Sequence, residues 1–140
     1  MPPLQRVTMR APLTTLAIGA ITPAPDATTG ALALAATSDV SVAWTPPSDD
    51  ARARVMVTLS TDRAEVRCFD DAVNGSATIG AEWVAKLLAE AGPTADGGAG
   101  FTGKMFIASH RQATLFADGG WIVYVVAAHV HREIPFTGIR

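Results

Sequence analysis

Apolar and polar residues alternate over several short stretches of the chain, which is the period of a half-buried strand. Val40, Val42 and Trp44 fall on one face of 40–44. Val55, Val57 and Leu59 fall on one face of 54–59, with Arg54, Met56 and Thr58 opposite. After Thr61-Asp62, Val66 and Cys68 alternate with Glu65 and Arg67. A two-residue loop at Thr61-Asp62 pairs Val57 with Val66 and Val55 with Cys68, so that both apolar faces coincide. Strands are also expected at 104–110 and 121–133, with fainter alternation at 7–21 and 31–36.

One segment breaks the pattern. Residues 81–91 hold good helix formers, and Trp83, Val84, Leu87 and Leu88 make an apolar stripe at helical spacing. Gly92 and Pro93 then stop the helix. Pro23, Pro25, Pro46 and Pro47 punctuate the strands, since proline cannot donate to a ladder. The glycine-rich stretch 92–100 connects elements, and neither flank is large enough for a core of its own. The expectation is one domain over 1–140, mainly β: an antiparallel β-sandwich with one short inserted helix. A mixed α+β fold is the alternative.

Composition narrows the function. With 49% hydrophobic and 17% charged residues the chain is globular rather than disordered. A formal charge of −2, and lysine only at Lys86 and Lys104, argue against nucleic acid as a partner. No apolar run reaches the roughly 20 residues of a membrane-spanning helix. Arg6 and Arg10 before the apolar stretch 11–21 invite a signal-peptide reading. Pro12, Thr14 and Thr15 interrupt that stretch, and it reads instead as part of the folded domain.

Candidate chemistry is sparse. Gly98 to Lys104 matches G-x-x-x-x-G-K, but Met105 stands where a phosphate-binding loop needs Ser or Thr, and a strand rather than a helix follows. Asp70, Asn74 and Gly75 fit part of a calcium loop, yet Ala72 and Ala81 occupy ligand positions, leaving at most a weak site with Asp71. Trp44, Trp83 and Trp121 could form a sugar platform but read as core or element ends. Cys68 reads as a buried, inert thiol, and there is no nucleophile elbow around a serine. The best lead is histidine. His129 and His131 lie two apart on one strand face, and a hairpin turning near Asp118-Gly119 sets His110 opposite Ala127, diagonal to His129. His110, His129 and His131 are therefore the candidate metal ligands, with Glu133 as a fourth, although no cofactor is demanded.

Over 39–133 the chain resembles uncharacterised β-sandwich domains of secreted bacterial lipoproteins. The resemblance is carried by Trp44-Thr45-Pro46, the strand 55–60, the segment 66–71, the connection 75–79, the short helix and Trp121-Ile122-Val123. Gly80 departs from the proline of that pattern, and no lipid-attachment cysteine lies near the N-terminus. The resemblance implies an extracytoplasmic location, secreted or in the cell envelope, and no defined activity. The resulting expectation is a non-enzymatic structural or protein- or glycan-binding module. The alternatives are a metal or small-ligand protein using the histidine face, and a subunit of a homo-oligomeric assembly.

Overall fold

The computed structural model describes residues 15–48, 52–91, 100–117 and 121–139, with 113–117, 121–125 and Ile139 described by backbone alone. Eight strands and one helix follow in the order Ile18–Thr22 (β1), Leu32–Ala35 (β2), Val40–Trp44 (β3), Arg54–Ser60 (β4), Glu65–Asp71 (β5), Ser76–Ile79 (β6), Ala81–Glu90 (α1), Gly100–Ala117 (β7) and Trp121–Ile139 (β8). The mainly β class with a short helix is what the alternation predicts. The faint signals at 7–21 and 31–36 shrink to β1 and β2, and residues 1–14 lie outside the described residues.

The strands form two sheets, β1-β3-β6 and β2-β8-β7-β4-β5. Val40, Val42, Trp44, Ala77 and Ile79 from the small sheet join Val55, Val57, Leu59, Met105, Ile107, Ile134 and Phe136 from the large one in a single core. All pairings are antiparallel except β2 with β8, where Leu32 faces Phe136 in a parallel edge. Helix α1 buries Val84, Leu87 and Leu88 and packs against β5 and β2, the two outer strands of the large sheet. It therefore lies across that sheet. Trp83 stays half exposed with the Lys86 ammonium 4.1 Å from its ring centre, so it is not part of the buried stripe. The helix has no cap from its own Gly80. Asp39, just before β3, accepts from the Ala81 N–H at 2.7 Å and places a carboxylate at the positive helix end.

Two local corrections concern β5. β4 and β5 pair Val57 with Cys68 and Leu59 with Val66, two residues away from the pairing expected from a two-residue loop. The loop is longer because the Thr61 hydroxyl accepts from the N–H groups of Arg63 and Ala64, closing a wider turn. An even shift preserves the faces, so Val55, Val57, Val66 and Cys68 still point inward. Trp44 is buried and donates its indole N–H to the Ala72 carbonyl at 2.6 Å, and Gly75 ends the short turn after β5 at φ 74. Cys68 is half-buried rather than buried, because β5 is an edge strand.

Candidate functional site

The histidines lie where β7 and β8 leave the body of the large sheet. β4 pairs with β7 only from Lys104 to His110, whereas β7 pairs with β8 to Ala117 and Trp121. The β7–β8 register shifts between Ile107 and Ala108: Ile107 faces Arg132, Ala108 faces Val130, and His131 is the extra residue of a bulge. This bulge decides the geometry of the site.

Ser109 faces His129 on the core side, and the bulged His131 turns the same way, sharing a 2.7 Å hydrogen bond between its Nε2 and the Ser109 Oγ. The rings of His129 and His131 lie edge to face with centroids 4.7 Å apart. His110 faces Ala128, not Ala127, so the register differs by one residue from the expected one and sends His110 to the opposite face. There its ring meets the edge of Phe69 at 5.6 Å. Glu133 faces Phe106, also away from His129, and pairs with Lys104 at 2.6 Å. The four side chains considered together in the sequence thus divide between two faces. Among the described residues no group of three or more His, Cys, Asp or Glu is arranged to hold a metal ion.

The electrostatics favour neutral imidazoles. Burial, then the neighbouring His129, holds His131 below the usual histidine range. Burial, then the Arg54 guanidinium, lowers His110 likewise. Ser109 and His131 have the spacing of a nucleophile and its base, but Ser109 is 2% exposed, which leaves its oxygen out of reach of a substrate carbonyl.

The remaining candidates are occupied. Asp70 Oδ1 accepts from the Asn74 amide at 2.5 Å and from the Asp71 N–H at 2.8 Å, and Asp71 pairs with Arg54 at 3.3 Å. Gly100 to Lys104 are strand residues of β7, while Gly98 and Ala99 lie outside the described residues. Burial, then Asp70, pushes the Cys68 thiol up, and its Sγ lies 3.7 Å from the Thr78 carbonyl. Trp44 is enclosed, and the Trp121 side chain lies outside the described residues.

What stands out is the ribbon that β7 and β8 form beyond His110. Among the described residues, 112–117 and 121–126 pair only with each other. Along β8 the positions alternate as Trp121, Val123, Val125 and Ala127 against Ile122, Tyr124, Val126 and Ala128, so both faces of the strand carry apolar residue types. Val126 and Val130, 61% and 55% exposed, are the two most exposed large hydrophobics among the described residues. Comparison with protein-family models, curated proteins and solved structures gives no match. Sequence reasoning passed over the ribbon, although its signal was present: residues 112–131 contain one charged residue, Asp118.

Proposed function

We propose that the chain is a non-enzymatic structural or binding module that acts through protein contact, with the β7–β8 ribbon as its contact element. One observation carries this reading: a pair of strands that, among the described residues, pair only with each other beyond Arg111 and Ala127, and whose sequence alternates apolar residue types at both sets of positions along β8. A two-stranded ribbon is at best marginally stable alone in water, and exposed apolar residues such as Val126 and Val130 at its root favour an interaction site. The extracytoplasmic location implied by the family resemblance belongs to the same proposal.

The test removes the ribbon and keeps the body. Arg111 and Ala127 face each other directly, so Asn-Gly in place of residues 112–126 closes the hairpin with a two-residue turn. The shortened chain is expected to fold, to melt within a few degrees of the full chain, and to bind less of a hydrophobic dye. A chain that does not fold, or whose melting temperature falls by more than about 10 °C, would make the ribbon part of the body and overturn the reading.

A further inference from the structure

We propose that His129 and His131 form a two-imidazole chelate for a divalent transition-metal ion, copper(II) being the ion it holds best. The site stands apart from residues 112–126 and is independent of the contact-element reading.

Residues two apart on a regular strand share a face, with about 6.8 Å between them along the strand. The bulge at His131 departs from that regularity, and the ring centres of His129 and His131 lie 4.7 Å apart. That spacing suits a shared ion. A metal ion sits about 2.0–2.1 Å from an imidazole nitrogen, which puts the ring centre about 3.2 Å from the ion. Two rings in adjacent coordination positions, about 90–110° apart at the ion, then have centres roughly 4.5–5.2 Å apart. The observed separation falls inside that interval.

One ring is already held. The His131 Nε2 shares its 2.7 Å hydrogen bond with the Ser109 Oγ, and Ser109 is buried in β7 between Val55 of β4 and His129 of β8. A ligating histidine commonly gives its second nitrogen to such a partner, which fixes the ring orientation. With Nε2 donating to Ser109, the lone pair of Nδ1 is left for the ion. His129 is exposed, so an ion reaches the pair from solvent.

The donor set selects the ion. Among the described residues no third His, Cys, Asp or Glu joins the pair in a metal-binding group, so the protein supplies two nitrogens. Calcium and magnesium take oxygen ligands and are disfavoured. Arg111 stands two residues along β7 from Ser109, opposite Ala127, and adds positive charge on the same side. An ion held by charge attraction alone therefore gains little here. Imidazole suits zinc, nickel and copper, and affinity along that series peaks at copper(II). Water or an added ligand completes the coordination, as in other open sites.

The experiment is a calorimetric titration of the full chain with copper(II), with the electron paramagnetic resonance spectrum of the bound ion. His129→Ala, His131→Ala and His110→Ala are measured beside the wild type. The expected result is one ion per chain with a Kd of about 10 μM or tighter, and nitrogen hyperfine structure from two imidazoles. H129A and H131A are each expected to weaken binding by about tenfold or more and to lose one nitrogen from the spectrum. H110A is expected to bind as the wild type does, because its ring meets Phe69 on the opposite face. His129 is exposed, so H129A keeps the body intact and decides the matter even where H131A loses the bulge. A wild type that binds no copper below about 1 mM overturns the site. So does affinity unchanged in H129A, or an equal loss in H110A.

Discussion

Thr58 sits on β4 at 5% exposure, and its hydroxyl oxygen is buried with no hydrogen-bond partner among the described residues. A buried hydroxyl that pairs with nothing has lost its water without compensation, at a cost of about 1–3 kcal/mol. Thr58→Val keeps the branched shape and removes the oxygen, so it is expected to stabilise the fold by about 1 kcal/mol. A urea melt measures it, and an unchanged or lower midpoint would count against the assignment. Trp44 shows the opposite treatment of a polar atom, since its indole N–H is enclosed but donates to Ala72. Residue-scale chemistry was partly legible in the sequence. The alternation put Val55, Val57, Val66 and Cys68 on one face, and they are there. Whether the Trp44 indole or the Thr58 hydroxyl would find a partner was not legible, because what surrounds each comes from elements distant in sequence.

At the scale of elements, two cross-strand pairs at the base of β7 and β8 interlock. Phe101 faces Gly138 and Gly103 faces Phe136. A Cβ at Gly138 would collide with the Phe101 ring, and one at Gly103 would collide with Phe136 and the Ser60 carbonyl. Each phenylalanine thus rests on the bare backbone opposite it. Gly103→Ala and Gly138→Ala are each expected to destabilise by about 1–3 kcal/mol through overpacking. Gly100→Ala serves as the control, since its Cβ would come no closer than 3.4 Å, to the Gly138 carbonyl. Equal melting temperatures for the three would refute the interlock. The strands and α1 were readable from periodicity, but the histidine register was not. One bulged residue, His131, separates the arrangement in which three imidazoles share a face from the one found, and nothing in the local sequence marks a bulge there.

For the whole molecule, the two depressed histidines set a direction for stability against pH. His110 and His131 hold a proton less readily when folded than when unfolded, the ordinary value being 6.5. As pH falls through that value the unfolded chain takes up protons first. Stability that is full above it is then lost progressively toward the lower folded-state values. Melting temperatures are expected to fall between about pH 8 and about pH 5, with a smaller drop in His110→Gln/His131→Gln. An equal drop in that variant would assign the effect to other groups. The exposed pairs Arg54–Asp71, Arg67–Glu65 and Lys104–Glu133 add little, because solvent screens them.

The seating of Phe101 and Phe136 on Gly138 and Gly103 also governs how far the molecule reaches. A slip of two residues in one sense would set Phe101 against Phe136, and in the other Gly103 against Gly138, so neither keeps a ring over a glycine. The root of the hairpin is therefore keyed, and its far end lies about 48 Å along β7 from Gly103 at 3.4 Å per residue. Two residues added to each strand beyond His110 would lengthen the projection by about 7 Å and leave every contact of the body in place. Reach is an adjustable dimension of this architecture, open to change by paired insertions without refolding the rest.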